Sequence, residues 1–352
     1  MKTIGITTTV YGNNFGEILQ AFAMRKAINT YCPDCHAELV NFICGNQTEL
    51  VKPGFERYKK QLVEKNEIFN EFRRKEIGLY TTPERKLTLE NAPIFDKYIF
   101  GSDQIWNTVA WEIPEFFGSF VPKGKTKIAY AASVGAKVDT LKTELFEKYI
   151  NTFDFLSVRE SIHCEYINKF TDKKTYFVCD PTLLLDRDIY EQLKKSVNPP
   201  KPDKYIFYYQ PHSADCAIIS MINKYSRLHQ YDVVHTFAEI PEGIFPYKSI
   251  STRFYGPIEF LSYISDASLV ITKSYHAMIF SIIFRKPFYV YVDKKTGSRF
   301  ESLLKALGMK DRLVYDYLRP EEVSLDIDYD AVYEKLLKFR GDSLNFLKTA
   351  LL

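Results

Sequence analysis

The sequence predicts an α/β protein of two domains, each with helices around a parallel sheet, which together enclose a cleft. Two observations support this prediction. The chain of 352 residues is long enough for two typical domains, and short apolar runs rich in β-branched and aromatic residues alternate with segments of helical spacing. The charged stretch 186–204 contains three prolines and is typical of an extended connector. We therefore expect an N-terminal domain at 1–190 and a C-terminal domain at 191–352.

The N-terminal domain is predicted to begin with a strand at 3–9, a loop of Tyr11-Gly12-Asn13-Asn14 and a helix at 15–28, whose apolar residues recur at helical spacing. Further strands are expected at 38–43, 96–100, 127–132, 155–158 and 176–179, with helices near 141–150 and 160–170. The stretch 52–77 is rich in Lys, Glu and Arg, which indicates a charged helical insertion with a solvated surface.

The C-terminal domain repeats the alternation of strands and helices. Strands are expected at 205–209, 231–236, 268–272 and 287–292, and helices at 214–229, 257–264 and 276–284. Ligands of open parallel sheets bind beyond the carboxyl ends of the strands. The loops at 11–15, 101–107 and 273–276 follow such ends, so we expect the functional site there.

Composition excludes several classes of protein. Lys and Arg number 47 against 44 Asp and Glu, an excess too small for a typical nucleic-acid binder. The longest apolar run, 277–284, is far shorter than the about 20 residues of a membrane span, and the first residues lack the order of a signal peptide. The six cysteines are scattered and mostly lie in or beside apolar runs, which fits a reducing compartment. A cytoplasmic location is therefore expected.

Standard nucleotide-binding, protease and esterase motifs are absent from the sequence. The one metal-like pattern is Cys32-Pro33-Asp34-Cys35-His36, with Cys44 nearby. A closed zinc site needs four ligands, and no second pair of ligands completes this one. We interpret the pattern as a turn that leads into the second strand, with a zinc or redox role as the alternative.

His276 is the strongest candidate for a catalytic residue among the six histidines. It follows a predicted strand through Lys273, Ser274 and Tyr275 and opens an apolar helix. An imidazole, an ammonium, a hydroxyl and unpaired backbone amides therefore meet at one helix N-terminus, where an anion can bind beside an acid or base. A structural histidine is the alternative interpretation.

Two charged residues follow strands of the N-terminal domain. Arg159 comes directly after the strand at 155–158, where it can clamp a phosphate or carboxylate or pair with Glu160 or another acid. Asp103 can bind substrate hydroxyls or cap the next helix. We expect Asn13, Asn14, Asp103 and Tyr275 to contact substrate.

Six segments in this order resemble the polysaccharide pyruvyl transferase family. They are Tyr11-Gly12-Asn13-Asn14-Phe15-Gly16-Glu17-Ile18-Leu19-Gln20-Ala21-Phe22, 101–107, Tyr130-Ala131-Ala132-Ser133-Val134-Gly135, 157–160, Cys179-Asp180-Pro181-Thr182-Leu183 and 266–287. The resemblance extends over about five-sixths of the chain. It implies two Rossmann-like domains with parallel sheets that face a cleft, as in glycosyltransferases of the GT-B type.

The resemblance also implies transfer of the enolpyruvyl group of phosphoenolpyruvate to two sugar hydroxyls, giving a pyruvate ketal and phosphate without a metal or organic cofactor. His276 matches the family's catalytic His, and Arg159 matches an Arg that contacts phosphoenolpyruvate. Many members have an Arg at the position of Ser274. Lys273 and Arg299 are therefore the candidates to supply that charge, so the donor-binding candidates are Arg159, Lys273, Ser274 and Arg299.

Two other functions fit the same cleft. A nucleotide-sugar glycosyltransferase would place Lys273 and His276 beside a diphosphate, and a carbohydrate-binding protein would retain the fold without catalysis. Pyruvyl transfer predicts phosphoenolpyruvate and a glycan as partners, the glycan being nucleotide-linked, lipid-linked or a growing surface polysaccharide. A lipid-linked acceptor would bring the protein into peripheral contact with a membrane.

Overall fold

The computed structural model describes residues 1–43, 56–135, 137–211, 214–237, 240, 243–292 and 297–352, except for the side chain of Ser298. Within these ranges the chain forms two six-stranded parallel sheets with helices around them, which confirms the predicted fold class. Residues 44–55, and with them Cys44 and the first part of the predicted insertion, lie outside the described residues.

The first sheet contains strands β1 (Lys2–Thr7), β2 (Cys35–Leu39), β3 (Lys97–Phe100), β4 (Thr126–Ala132), β5 (Phe155–Val158) and β6 (Thr175–Phe177). Their order across the sheet is β2-β1-β3-β4-β5-β6. The helices of this half are α1 (Phe15–Tyr31), α2 (Lys59–Phe72), α3 (Glu144–Tyr149), α4 (Cys164–Ile167) and α5 (Arg187–Lys194). The central strands are almost entirely buried, as expected for a parallel sheet covered on both faces.

The second sheet contains strands β7 (Tyr205–Tyr209), β8 (Asp232–His235), β9 (Ser249–Ser251), β10 (Leu269–Thr272), β11 (Phe288–Tyr291) and β12 (Leu313–Val314). Their order is β12-β11-β10-β7-β8-β9. The helices of this half are α6 (Cys216–His229), α7 (Pro257–Asp266), α8 (Tyr275–Ile283), α9 (Ser298–Leu307) and α10 (Tyr329–Leu351).

The strand order of each sheet reverses at one point. β2 and β3 lie on opposite sides of β1, and β8 and β10 lie on opposite sides of β7. Connections that leave in opposite directions open a crevice at the carboxyl ends of the strands. The loops that follow β1, β3, β7 and β10 are therefore the ones that topology brings to a ligand site, and they include the three loops predicted from the sequence.

The prediction of an extended connector at 186–204 is wrong for its first half. Residues Arg187–Lys194 form α5. Its Tyr190 is fully buried, and the Tyr190 hydroxyl donates to the carbonyl oxygen of Thr182. The prolines that suggested an extended chain lie after this helix. The predicted domain boundary, between residues 190 and 191, falls inside α5, and the division into these two domains stays a prediction.

The predicted insertion is helical in its described part, but the expectation of a solvated surface is wrong for one face of α2. Phe69 and Phe72 are buried. Lys65 donates to the carbonyl oxygen of Arg253 at 2.9 Å and lies 4.9 Å from the ring centroid of Phe15. A helix can be mostly charged and still bury a narrow apolar stripe together with its long alkyl stems. In this way α2 connects α1 with the second half of the chain.

The last helix, α10, also packs on both halves. Tyr333 near its start donates to the carbonyl of Ile283 at 2.9 Å. Further along, Arg340 donates to the carbonyl of Leu183 at 2.6 Å, and the Ser343 hydroxyl accepts from the Cys179 amide at 2.9 Å. Across the described ranges, none of the helices combines the length and apolar character that crossing a membrane requires.

Candidate active site

A cavity of about 520 Å³ lies where the loops of the two sheets meet. Eight of the residues predicted for the site line it: Asn14, Asp103, Arg159, Lys273, Ser274, Tyr275, His276 and Arg299. Asn13 is not among the lining residues, and its side-chain oxygen lies 3.5 Å from Nη2 of Arg73. Seven residues without a sequence prediction complete the lining: Gln104, Gln210, Pro211, Ala214, Asp215, Tyr291 and Phe300.

Arg159 is 1% exposed and is surrounded by carboxylates. Its Nη2 lies 3.1 Å from Oδ1 of Asp103, its Nη1 3.0 Å from Oδ2 of Asp180, and its Nε 3.3 Å from Oε1 of Glu160. The guanidinium carbon also lies 4.6 Å from the centroid of the Tyr275 ring. Pairing with an acid, the alternative that the sequence left open, is therefore present three times over.

The pKa values of these three carboxyls are lower than usual. Burial by itself would raise them, but nearby positive groups more than offset it. The pKa of Asp103 is lowered mainly by the charge of Arg159 and then by that of His276. The pKa of Glu160 is lowered by a hydrogen bond with His163 and by the charge of Arg159. The pKa of Asp180 is lowered by His276 and then by Arg159. Arg159 is thus the common counter-ion of two buried acids, Glu160 and Asp180, and of the partly exposed Asp103.

His276 approaches this cluster from the opposite half of the molecule. Its Nε2 is enclosed and lies 3.5 Å from Oδ2 of Asp180, an ion-pair contact longer than an ordinary hydrogen bond. Asp180 itself is held rigidly, because it accepts from the Ser102 hydroxyl at 3.0 Å and from the amide and hydroxyl of Thr182 at 3.1 and 2.7 Å. The negative charge of Asp180 therefore lies on the Nε2 side of the imidazole.

The other ring nitrogen of His276, Nδ1, lies against the first turn of α1. A Cβ atom at position 16 would be 2.2 Å from this Nδ1, so only glycine allows the histidine to approach so closely. Asn14 caps α1 by accepting from the Gly16 amide at 2.9 Å. The predicted first loop thus supplies the cap of α1, and Gly16 adds the close contact between the two halves.

Ser274 caps α8 by accepting from the Ala277 amide at 3.3 Å. The backbone amides of Tyr275 and His276, which lie between Ser274 and Ala277 in the first turn of α8, have no acceptor among the described residues. A helix N-terminus with free amides attracts anions. At position 274, where many family members have an Arg, this chain has a helix cap that precedes two amides without an acceptor.

The two remaining predicted cations differ in their partners. Lys273 Nζ lies 2.8 Å from Oδ2 of Asp215, whose other oxygen caps α6. Arg299, in the first turn of α9, has an enclosed Nε without a hydrogen-bond partner among the described residues. Burial, followed by repulsion from Arg159, lowers the pKa of Arg299. An anion beside Arg299 would relieve both effects.

Sequence reasoning missed several polar residues at the site, among them Asp180, Asp215 and Tyr291. Asp180 follows β6 within a segment quoted for the family resemblance, and an acid at a strand end was a usable signal. Asp215 is the second residue of the helix predicted at 214–229, and an Asp at a helix start is typical of a cap, which it forms for α6. Tyr291 ends an apolar strand and carries no sequence signal that separates it from the core.

Within the described ranges, no group of three or more His, Cys, Asp and Glu is placed to hold a metal ion. Cys32 and Cys35 are free, buried thiols on either side of the turn that leads into β2, as the turn interpretation predicts.

Solved structures define the class of fold. The chain is similar to the UDP-GlcNAc 2-epimerase from Neisseria meningitidis bound to UDP-GlcNAc, with a TM-score of 0.52, 11% identity, and coverage of 100% of this chain and 99% of that one. It is also similar to the UDP-GlcNAc 2-epimerase from Methanocaldococcus jannaschii, with a TM-score of 0.50, 11% identity, and coverage of 98% and 93%. These likenesses show the GT-B arrangement of two facing Rossmann-like domains.

The family is shown by sequence. The model of the family described as polysaccharide pyruvyl transferase matches residues 14–293, which include every residue predicted for the site except Asn13 and Arg299. The chain therefore belongs to the polysaccharide pyruvyl transferase family. No curated protein matches the chain.

Proposed function

We propose that this transferase moves the enolpyruvyl group of phosphoenolpyruvate to two hydroxyls of a sugar in a surface polysaccharide or its precursor, forming a pyruvate ketal. The observation that supports the proposal most is the position of His276. An acid–base group stands at the N-terminus of α8, against α1, in a cavity that Arg299 and Lys273 also line. This combination suits a small anionic donor that must be protonated.

The half of the cavity formed by the second sheet offers the better binding groups for the donor's phosphate and carboxylate. Arg299 supplies an unpartnered guanidinium nitrogen, and the Tyr275 and His276 amides supply hydrogen-bond donors. An anion at Arg159 would compete with three carboxylates that this guanidinium already contacts. We therefore assign donor binding chiefly to Arg299 and the start of α8, with Arg159 as a positioning residue.

The proton transfers follow from the two contacts of His276. Protonated His276 gives its Nδ1 proton to the CH₂ carbon of the donor, while Asp180 stabilises the imidazolium from the Nε2 side. One sugar hydroxyl adds to the central carbon and returns its proton to His276. The carbon–oxygen bond to phosphate then breaks, the second hydroxyl adds, and its proton leaves with the phosphate. The products are the ketal and inorganic phosphate, and the proton balance closes.

Deuterium labelling tests this chemistry directly. The purified protein is incubated in D₂O with phosphoenolpyruvate and a set of methyl glycosides, and products are examined by NMR. We expect phosphate release that depends on a glycoside and a ketal whose new methyl group contains one deuterium. His276→Ala should abolish both, and His36→Ala, an exposed histidine on β2, should not.

The glycosyltransferase alternative predicts a different ligand. Calorimetry with phosphoenolpyruvate and with UDP-GlcNAc separates the two, because only a ligand of the native state binds and stabilises it. Binding of UDP-GlcNAc without binding of phosphoenolpyruvate would contradict pyruvyl transfer. Donor binding with no phosphate release from any tested glycan, and no exchange of deuterium into the donor, would favour the non-catalytic alternative.

A further inference from the structure

We infer that the side of the cavity formed by the second sheet is a binding site for one neutral sugar ring of the acceptor. This surface, called here the Asp215 wall, consists of Gln210, Pro211, Ala214, Asp215, Lys273 and Tyr291. The inference rests on the proposed function for its identification of the ligand as the acceptor. Of these six residues, only Lys273 was expected from the sequence to take part in binding.

The size of the cavity leaves room for a second ligand group. A volume of about 520 Å³ lies within the range of sites that enclose drug-sized ligands. Phosphoenolpyruvate has a three-carbon skeleton and one phosphate, so it fills only a fraction of that space. The Asp215 wall lies at the crevice where β7 and β10 meet, and thus in the same cavity as His276 but on different strand ends.

The chemistry of the wall suits hydroxyl groups better than phosphate. Asp215 and Lys273 face each other at 2.8 Å, so the wall presents both signs of charge and no net charge from this pair. Their side chains are 31% and 27% exposed, which leaves both within reach of a ligand. Vicinal sugar hydroxyls donate to a carboxylate and accept from an ammonium, whereas a second anion would be repelled by Asp215.

The wall is held in place by one buried hydroxyl. Tyr208, fully buried in β7, donates to the side-chain oxygen of Gln210 at 3.1 Å and accepts from the Asp215 amide at 3.0 Å. Gln210 and Asp215 therefore keep a fixed separation without a ligand. A preformed arrangement of hydrogen-bonding groups is typical of a binding site.

Tyr291 adds an independent indication of a ligand. Its side chain is 5% exposed, and its enclosed hydroxyl makes no hydrogen bond of ordinary geometry with the described residues. The nearby Leu318 amide offsets only part of the rise that burial causes in the Tyr291 pKa. A buried hydroxyl without a partner costs about 1–3 kcal/mol. A ligand hydroxyl bound at the wall would offset this cost.

Asp215→Asn is the most informative test, because the two ligands should respond in opposite directions. Asn keeps the cap of α6 but removes the negative charge from the wall. We expect methyl glycosides of glucose, galactose, mannose or N-acetylglucosamine, measured by saturation-transfer NMR, to bind roughly tenfold more weakly. Phosphoenolpyruvate, measured by calorimetry, should bind a few-fold more tightly. Asp342→Asn, exposed on α10, is the matched control and should change neither.

Tyr291→Phe provides a second variant. We expect it to fold at least as well as the wild type, to leave donor affinity unchanged and to weaken the same glycosides. Inorganic pyrophosphate is the probe for a nucleotide- or lipid-diphosphate group at the wall.

Glycoside binding that is equal in wild type, Asp215→Asn and Tyr291→Phe, or absent from the wild type, would overturn the inference. So would pyrophosphate binding that Asp215→Asn strengthens, since the wall would then recognise a diphosphate. If the wild type binds the glycosides as expected but not phosphoenolpyruvate, the sugar site stands and the proposed donor fails.

Discussion

The two halves of the cavity both place a cation at a strand end or helix start, but the two cations differ in what surrounds them. Arg159 of the first half contacts three carboxylates and is 1% exposed. Arg299 of the second half has an enclosed nitrogen without a partner in the described ranges and is repelled by Arg159. The comparison teaches that position alone does not make a cation a ligand. Counter-ions that the fold already supplies decide whether its charge is available.

Removal of Arg159 should have the largest effect of the changes considered, and this effect should be a loss of stability. Arg159→Ala leaves the buried Glu160 and Asp180 and the partly exposed Asp103 without their common counter-ion. Removal of one partner of a buried ion pair typically costs about 3–5 kcal/mol, and we expect a similar loss here. Urea unfolding would measure this loss. Arg159→Ala with unchanged stability and a specific loss of donor affinity would instead make Arg159 a direct donor ligand.

Gly16→Ala should come next, with an effect on catalysis. Ala favours a helix over Gly, but its Cβ would lie 2.2 Å from Nδ1 of His276 and must displace the ring. A shift of about 1 Å at a reacting group can lower the rate roughly 100-fold. Steady-state phosphate release would measure it.

Gly341→Ala is the matched control for Gly16→Ala. Gly341 also lies in a helix, and a Cβ there meets no atom within 4 Å. It should raise stability by about 0.5–1 kcal/mol and leave the rate unchanged. Equal rates in the two variants would show that the His276 contact with α1 does not matter.

Arg299→Ala should lower donor affinity without lowering stability. The lost charge-assisted contacts correspond to about 1.5–3 kcal/mol, or roughly tenfold to 100-fold in the dissociation constant of phosphoenolpyruvate. Because Nε of Arg299 has no hydrogen-bond partner among the described residues, and Arg159 repels the guanidinium, its removal should leave the free energy of unfolding unchanged or slightly higher. Calorimetry and urea unfolding on the same samples separate the two quantities. A large loss of stability with unchanged affinity would reverse the assigned roles of Arg159 and Arg299.

Lowering the pH should produce the smallest of these effects, a gradual decrease in the free energy of unfolding. The pKa values of Asp103, Glu160 and Asp180 are lower in the folded chain than in the unfolded chain, so the unfolded state binds more protons in acid. Their stabilising contribution is complete above the unfolded pKa of about 4 and is lost as pH falls through the folded values. Denaturant titrations from about pH 6 downward should show the free energy of unfolding decrease with pH. The slope of that free energy against pH should be shallower in Asp180→Asn. An equal slope in the variant would mean that Asp180 does not titrate as described.

The sequence predicted central strands better than edges. The expected strands at 155–158 and 205–209 coincide with β5 and β7, because buried parallel strands are uninterrupted apolar runs. β9 and β12 were not expected, since they are two or three residues long and lie at the edges of their sheet. In the site, strand ends and a helix start indicated Arg159 and His276. The pairs Asp180–His276 and Lys273–Asp215 join residues 96 and 58 positions apart, so only the tertiary fold could reveal them.

A crystal structure of the protein with phosphoenolpyruvate would test the division between the two halves most directly. The donor phosphate or carboxylate should contact Arg299 and the first amides of α8, with its CH₂ carbon on the Nδ1 side of His276 and Arg159 still paired with its three acids. A donor anion bound by Arg159, with its contacts to Asp103 and Asp180 broken and Arg299 left without a ligand, would contradict the account.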